Sequence, residues 1–265
     1  MQLAVICPPS NLDLIHRRQY QMVLAQHLIT DPDYLAFYIT QRTYDSHIIM
    51  DNGAAENQQV SAARLGDLAK LVGANEVCLR DVMYDSSATL EATCDPSVLY
   101  AIEPDKRMVV PQGRSVGEWF ACLTQIVNRI EFASIGVPKH LENVPGGRKQ
   151  AIRLVLGAYG TRWNIHLLGV AKEPVFELAS LVNEYGDMIR SVDTGAPIAY
   201  AQNDMFICDC EHHSLKWTGD LNYVLERAVR ARVNIEILDR ICSSRLYSPT
   251  YRFEGDHHGN YTTAN

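Results

Sequence analysis

Short runs of apolar and β-branched residues recur along the chain, and segments with helical spacing of apolar residues lie between most of them. Eight of these runs predict β-strands: Leu3–Cys7, Tyr34–Thr40, His47–Asp51, Glu76–Asp81, Arg107–Gln112, Phe132–Val137, Asn164–Gly169 and Ile189–Asp193. Five segments predict helices: Leu12–Thr30, Ser61–Gly73, Ser115–Ile130, Gly147–Leu156 and Glu173–Tyr185. Strands and helices that alternate in this way are typical of a closed (β/α)8 barrel of the TIM type or of a long doubly wound parallel sheet.

The ends of the predicted strands favour the barrel. Four strands finish on a side chain that can accept or donate a proton: Asp51, Asp81, Gln112 and Asp193. Ligands bind at the carboxyl ends of parallel strands, and only closure brings so many strand ends together. We therefore predict an α/β fold, with a (β/α)8 catalytic barrel over residues 1–200 and a C-terminal helical extension over 201–265 packed on it.

One segment fits the barrel poorly. The predicted strands within 34–51 are joined by about six residues, which is too short for the helix that a parallel crossover needs. The two runs therefore form a hairpin, or one of them lies outside the barrel.

Composition and charge exclude some classes of protein. The chain has 265 residues, 47% of them hydrophobic, and a formal net charge of −7. The net charge argues against nucleic acid as a partner without deciding the question, because a basic face can occur on an acidic protein. Seven scattered cysteines indicate a reducing compartment rather than a disulfide framework. We find no signal peptide and no apolar run that could span a bilayer, so we expect a cytoplasmic protein without a membrane partner.

Carboxylates that converge at a barrel mouth suggest glycosyl chemistry. One carboxylate can attack an anomeric carbon while another handles the proton of the leaving group. Each acid also has a plainer interpretation. Asp51 precedes Asn52-Gly53 and could be a turn residue, and Asp81 could pair with Arg80 or Arg153.

Six short motifs occur in order along the predicted barrel. They are Met50-Asp51-Asn52-Gly53-Ala54, Arg80-Asp81, Val110-Pro111-Gln112-Gly113, Ser134-Ile135-Gly136-Val137, His166-Leu167-Leu168-Gly169-Val170 and Val192-Asp193. Together they resemble the motifs of the tRNA-guanine transglycosylases, and most of all those of the phage DNA-acting relatives called DpdA, which insert 7-deazaguanine bases.

The resemblance implies a role for each matched residue. Asp193 would attack C1′ of a guanosine or deoxyguanosine and form a covalent glycosyl-enzyme. Asp51 would protonate the departing guanine and deprotonate the incoming base. Asp81 would accept hydrogen bonds from the guanine edge, while Gln112 and the N–H of Gly136 would donate to O6. The remaining pocket residues implied by the motifs are Gly113, Val137, Leu168 and Gly169.

The departures from the family pattern favour DNA over tRNA. The aromatic residue that stacks on the base is replaced by Ala55 or Glu56, so Tyr84 or Leu168 would have to stack instead. The family's motif for tRNA after the nucleophile is also missing, since Thr194-Gly195-Ala196-Pro197 stands there.

A zinc site is suggested by Cys208-x-Cys210-x-x-His213, because thiolates and imidazole suit tetrahedral Zn²⁺. The resemblance implies a structural Zn²⁺ and no organic cofactor. Its fourth ligand is missing at Val233-Asn234, where His212, Cys242 or His257 could substitute. A degenerate site without metal is the alternative.

The expected partners are DNA with a flipped or unpaired guanine and the free 7-deazaguanine base, with a homodimer as a further expectation. Basic side chains that could meet phosphates are Lys139, Arg148, Lys149 and Arg153, and Arg227, Arg230, Arg232, Arg240 and Arg245 near the C-terminus, although such residues usually form a solvated helix face.

The resemblance implies an enzyme that exchanges guanine in DNA for preQ0 or a derivative and so protects phage DNA from restriction in the host cytoplasm. Three alternatives remain open: a tRNA-guanine transglycosylase, a non-catalytic nucleic-acid-binding partner subunit, and an unrelated barrel glycosidase.

Overall fold

Eight parallel strands close into a barrel in the order of the sequence. A computed structural model describes residues 1–55, 58–170, 173–208 and 228–243. The strands are β1 (Gln2–Val5), β2 (Tyr20–Leu24), β3 (His47–Asp51), β4 (Glu76–Cys78), β5 (Arg107–Val109), β6 (Ser134–Pro138), β7 (Asn164–Leu168) and β8 (Ile189–Thr194). Each strand pairs in parallel with the next one, and β8 pairs with β1. The predicted (β/α)8 barrel is therefore confirmed, and the open doubly wound sheet is excluded.

Helices surround the barrel. They are α1 (Ala25–Thr30), α2 (Pro32–Gln41), α3 (Ala62–Val72), α4 (Ser86–Thr93), α5 (Pro96–Ala101), α6 (Val116–Val127), α7 (Gly147–Tyr159), α8 (Pro174–Tyr185), α9 (Ala196–Gln202) and α10 (Ala228–Ser243). The caps follow the sequence signals. Ser115 accepts the N–H of Glu118 at the start of α6, and Gly73 ends α3 at a φ of 67°. The four helices predicted after residue 60 are confirmed as α3, α6, α7 and α8.

The prediction was wrong for the second strand. Residues Tyr34–Thr40 lie within α2, and the predicted helix Leu12–Thr30 contains β2 in its middle. The Asp31 carboxylate accepts the N–H groups of Asp33 and Tyr34 and so starts α2 at Pro32. The corrected assignment supplies the crossover helix that was missing before β3.

Two aromatic residues explain the error. Tyr34 and Tyr38 are fully buried and lie one helical turn apart, so their spacing also fits a buried strand. The hydroxyl of Tyr38 donates to the carbonyl of Met22, and the hydroxyl of Tyr34 accepts the N–H of Leu24. These contacts fix α2 against β2, which is buried on both faces.

The core has two layers, because successive strand residues point to opposite sides of the barrel wall. A large apolar layer lies between the strands and the helices. A smaller layer fills the barrel itself, and its buried members are Ala4, Met22, Ile49, Cys78, Met108 and Val110. The barrel is therefore a packed core, with space for chemistry only at its ends.

A buried polar cluster closes the amino-terminal end of the barrel. The Glu76 carboxylate binds both terminal nitrogens of Arg190, His47 Nε2 at 3.0 Å and the Ser134 hydroxyl at 2.5 Å. Burial alone would raise the pKa of Glu76, but the hydrogen bonds and the charge of Arg190 lower it to about 2. We call these four residues the barrel floor.

The last described helix, α10, packs against β1, α8 and α9. Asn234 fixes it there. This side chain is fully buried, accepts the N–H of Ile207 at 2.9 Å and donates to the carbonyls of Pro197 and Met205. None of the helices that the structure describes is both long enough and apolar enough to cross a membrane.

Candidate functional site

Three carboxylates lie at the carboxyl end of the barrel. Asp51 ends β3 and Asp193 lies one residue before the end of β8, whereas Asp81 lies three residues beyond β4 and not at its end, where the sequence analysis had placed it. Cys78 lies in the inner layer, and burial raises the pKa of its thiol well above the ordinary value. The negative charges of Asp51, Asp193, Asp81 and Glu76 raise this pKa further. Because Glu76 lies in the barrel floor at the opposite end, this effect places the acids around the barrel interior and not at one point. Asp51, Asp81 and Asp193 lie at the same end because the strands of the closed barrel are all parallel.

Asp193 is held by β7. Its side chain is almost fully buried, and Oδ1 accepts hydrogen bonds from His166 Nε2 at 3.0 Å and from the N–H of Gly169 at 3.1 Å. Gly169 has a φ of 66°, which lets the chain turn and direct its N–H at the carboxylate. Within the described residues, Oδ2 receives no hydrogen bond.

His166 is a site residue that the sequence analysis missed. Its ring is fully buried, with Nδ1 at 2.8 Å from the Ser191 hydroxyl and Nε2 on Asp193. The residue falls inside the motif His166-Leu167-Leu168-Gly169-Val170. A polar residue in an otherwise apolar buried strand, two positions before Leu168, was the available signal.

Arg148 does not meet phosphates, contrary to the sequence hypothesis. Its side chain is fully buried and donates to the carbonyls of Leu168 at 2.7 Å, Gly169 at 2.8 Å and Pro138 at 3.3 Å. Glu177 neutralises it at 3.0 Å. Arg148 therefore ties the ends of β6 and β7 together and fixes the turn at Gly169.

Most of the other basic candidates form an ion pair or lie outside the described residues. Lys149 and Arg153 both pair with Glu184 on the exposed face between α7 and α8. Arg230 pairs with Asp204 and Arg232 with Asp13, while Arg227 and Arg245 lie outside the described residues. Among the first four candidates, Lys139 is the one that remains exposed after a strand end, beside Gly169.

Asp81 is buried between two amides. Its Oδ1 accepts Asn52 Nδ2 at 2.9 Å, and its Oδ2 accepts Gln112 Nε2 at 2.6 Å. Burial raises the pKa of Asp81, and the two amide hydrogen bonds oppose that rise. Neither Arg80 nor Arg153 pairs with it, so this alternative is not found. Each oxygen keeps capacity for one more hydrogen bond.

Asp51 lies at the end of β3 and is partly exposed. Its Oδ2 accepts the N–H of Gly53 at 2.9 Å, and Gly53 has a φ of 81°. The acid therefore stabilises the Asp-Asn-Gly turn, as the plainer interpretation supposed, and still acts on Cys78 from the mouth of the barrel.

The four apolar candidates have different positions. A Cβ on Gly136 would lie 2.7 Å from Leu168 Cδ1 and 3.1 Å from Val110 Cγ2, so this inward-facing position has no room for a side chain. Leu168 packs against the inner layer beside Gly136. The side chain of Val137 faces the helix layer, so only its main chain can line a pocket. Gly113 is needed for packing on α6, where a Cβ would lie 2.6 Å from the N of Trp119.

The loops after β4, β5 and β6 interlock around Tyr84. This residue has a φ of 64°, donates its N–H to Gln112 Oε1 at 3.3 Å and is 48% exposed. Its ring contacts that of His140, with centroids 4.6 Å apart, and His140 Nε2 lies 3.0 Å from the carbonyl of Gly113. Burial lowers the pKa of His140, which favours a neutral ring that donates from Nε2.

Two cations neighbour residues of these loops in the sequence. Arg114 follows Gly113, and Lys139 precedes His140; both side chains are exposed. Neither charged group has a partner among the residues that the structure describes. We call Tyr84, Arg114 and Lys139 the rim.

The predicted zinc ligands are only partly within the described chain. Cys208 is exposed, whereas Cys210 and His213 lie outside the described residues, as do His212 and His257. Burial raises the pKa of the Cys242 thiol to about 12, which disfavours the thiolate that zinc requires. Over the described ranges, no group of three potential ligands could hold a metal ion.

Neither a comparison with protein-family models nor a comparison with curated proteins finds a match to this chain. Any assignment of function to it therefore depends on its own residues.

Proposed function

We propose that this chain is a DNA guanine transglycosylase, which exchanges guanine in DNA for preQ0 or a related 7-deazaguanine through a covalent bond between Asp193 and deoxyribose. One observation supports this above all. Asp51, Asp81 and Asp193 lie at or just beyond the carboxyl ends of three strands of one closed barrel, and Oδ2 of Asp193 is free of hydrogen bonds from the described residues.

The reaction takes place in two displacements. In the first, Asp193 Oδ2 forms a bond to C1′ while the bond from C1′ to guanine N9 breaks, and Asp51 in its acid form gives the departing base a proton. In the second, N9 of the incoming base attacks C1′ while Asp51 takes the N9 proton. The bond between C1′ and Asp193 Oδ2 breaks, which restores the Asp193 carboxylate. Two inversions at C1′ retain the configuration of the sugar.

Asp81 and Gln112 recognise the base. The carboxylate accepts the N1–H and the 2-amino group, because its oxygens have unused lone pairs beside the bonds from Asn52 and Gln112. One hydrogen of the Gln112 amide binds Asp81, and the second donates to O6. A 7-deazaguanine presents the same edge, so the same pocket receives it.

The rim supports a nucleic acid as the partner. An exposed aromatic ring and two exposed cations on three successive loops suit a strand whose phosphates follow the charges while a base stacks on the ring. A guanine in a duplex must leave the stack to reach the barrel mouth, so the enzyme flips the base or acts on an opened strand. Replacing guanine would protect phage DNA from restriction, as the resemblance implies.

The test is to trap the covalent intermediate. Wild-type protein is incubated with labelled preQ0 and guanine-containing DNA, as single strand and duplex, or with tRNA. We expect label in DNA and an adduct that mass spectrometry maps to Asp193. Asp193→Asn should abolish the adduct, whereas Asp67→Asn, an exposed aspartate of α3, should leave it unchanged.

Each other outcome identifies an alternative. Label in tRNA alone would make the chain a tRNA-guanine transglycosylase. Binding of nucleic acid at wild-type strength with no adduct under any condition would favour the non-catalytic partner subunit. Hydrolysis of a glycoside without base exchange would favour a barrel glycosidase.

A further inference from the structure

We infer that His166 is a positioning residue, held as the neutral tautomer with its proton on Nε2, which fixes Asp193 so that Oδ2 is the attacking oxygen. The attack by Oδ2 rests on the proposed function. The tautomer of His166 and the choice of the Asp193 oxygen follow from the hydrogen bonds alone.

The donors around Ser191 determine the tautomer. Arg190 can only donate, and its Nε lies 3.3 Å from Ser191 Oγ, so that oxygen accepts there. The hydroxyl hydrogen is then directed at His166 Nδ1, 2.8 Å away, which must be an acceptor. Nε2 therefore carries the proton and donates it to Asp193 Oδ1 at 3.0 Å.

A doubly protonated ring fits the surroundings less well. Nδ1 and Arg190 would both donate to Ser191 Oγ and leave its hydroxyl hydrogen without an acceptor. A second positive charge would also lie next to Arg190 inside the barrel, where burying charge is costly. The charged groups that face this part of the interior are Arg190 and Glu76 below and Asp193 and Arg148 above.

The barrel floor anchors this chain of donors. Glu76 binds Arg190 through both terminal nitrogens, which leaves Nε directed at Ser191. A β-bulge allows this arrangement. Ile165 pairs with Ile189 and His166 with Ser191, so β8 carries one extra residue, Arg190. Bulges of this kind re-aim side chains next to functional sites.

The consequence is an asymmetric carboxylate. His166 and the N–H of Gly169 both donate to Oδ1, so the side chain cannot rotate without losing two hydrogen bonds. Oδ2 then points away from them. When the ester at Oδ2 breaks in the second displacement, the same donors stabilise the negative charge that returns to Oδ1.

Nitrogen-15 NMR of the full chain with labelled histidine tests the tautomer directly. The chain has nine histidines, and the His166 signal is assigned by its loss in His166→Gln. At neutral pH we expect a protonated Nε2 and an unprotonated Nδ1. Ser191→Ala removes the donor to Nδ1 and should give a mixture of tautomers. A proton on Nδ1 of wild-type His166 would overturn the inference, whatever the activity.

Single-turnover kinetics test the positioning. His166→Phe should slow adduct formation with guanine-containing DNA about 100-fold while the Kd for DNA stays unchanged. His166→Gln can donate from a similar position and should recover most of the rate. His16→Phe replaces an exposed histidine and is the matched control.

The outcomes separate the two proposals. A folded His166→Phe protein with the wild-type rate, or a His166→Gln variant as slow as His166→Phe, would overturn the positioning role. If wild type itself forms no adduct with DNA or tRNA, the proposed function fails, and the NMR measurement still decides the tautomer. A His166→Phe protein that does not fold leaves the decision to Ser191→Ala, whose rate should fall as its tautomers mix.

Discussion

Gly136 shows how a single residue can shape the candidate pocket. It lies on β6 between two inward-facing neighbours, Val110 and Leu168, which pack so closely on it that a Cβ would lie 2.7 Å from Leu168 Cδ1. Val110 is buried, whereas Leu168 is partly exposed at the mouth and has a flexible end. An added methyl group would therefore displace Leu168 into the space that the base would occupy.

Gly136→Ala should weaken binding of guanine and of 7-deazaguanine by at least about 10-fold, with a loss of stability of about 1–3 kcal/mol. Calorimetric titration measures the first and thermal unfolding the second. Gly157→Ala is the matched control, because a Cβ there meets nothing within 4 Å. Equal affinities for wild type and Gly136→Ala would mean that the base lies elsewhere.

At the scale of secondary-structure elements, the barrel floor joins four strands through one carboxylate. Glu76 on β4 holds His47 of β3, Ser134 of β6 and Arg190 of β8. The pKa of Glu76 is about 2 in the folded protein against an ordinary value of 4.5. The unfolded state therefore binds more protons between pH 4.5 and 2, so stability is lost as pH falls through this window.

We expect the free energy of unfolding to fall by about 3 kcal/mol from this group as the pH drops from above 4.5 to below 2. Urea unfolding over the accessible part of this range measures it. Glu76→Gln should remove this part of the pH dependence and cost about 3–5 kcal/mol at neutral pH, because Arg190 loses its counter-charge. Glu184→Gln, at an exposed ion pair, should change stability little; an equal effect would contradict the role of the floor.

A second prediction at this scale concerns Asn234, whose amide connects α10 to α9 and to the segment that follows it. Asn234→Ala removes three buried hydrogen bonds, one from the N–H of Ile207 and two to the carbonyls of Pro197 and Met205, and should cost about 3 kcal/mol. Thermal unfolding measures the change. Glu236→Ala, on the exposed face of the same helix, should leave stability within about 0.5 kcal/mol of wild type.

The elements that the sequence could predict are those with local signals. Ser61 and Gly73 mark the limits of α3 within the chain itself, and each strand-end acid follows an apolar run. The assignment of β2 and α2 depended on contacts between Tyr34, Tyr38 and β2, which the linear pattern does not contain. A helix and a strand that are both fully buried look alike in sequence.

The candidate site was predictable to a similar degree. The positions of Asp51, Asp81 and Asp193 followed from the closed barrel. Their partners Asn52 and His166 did not, because a hydrogen bond across the barrel depends on register and on the bulge in β8. Arg148 was misassigned because its burial, near the start of α7, depends on the carbonyls at the ends of β6 and β7, which the linear sequence does not show.

The whole molecule is acidic, with a net charge of −7, yet the two cations of the rim have no partner among the residues that the structure describes. A polyanion approaching such a protein is repelled at long range and attracted locally. Screening by salt removes the repulsion beyond about 10 Å at 0.1 M ionic strength, so binding should depend on these few contacts.

Arg114→Gln and Lys139→Gln should each weaken binding of single-stranded DNA and lower the slope of log K against log salt by about 0.7, the value for one phosphate contact on a single strand. Fluorescence anisotropy at several salt concentrations measures both quantities. Lys149→Gln is the matched control, since that cation already pairs with Glu184 away from the mouth, and its slope should equal that of wild type. The opposite result, a lower slope for Lys149→Gln and wild-type slopes for both rim variants, would contradict this prediction. The nucleic acid would then bind to the α7–α8 face and make no phosphate contact at the barrel mouth.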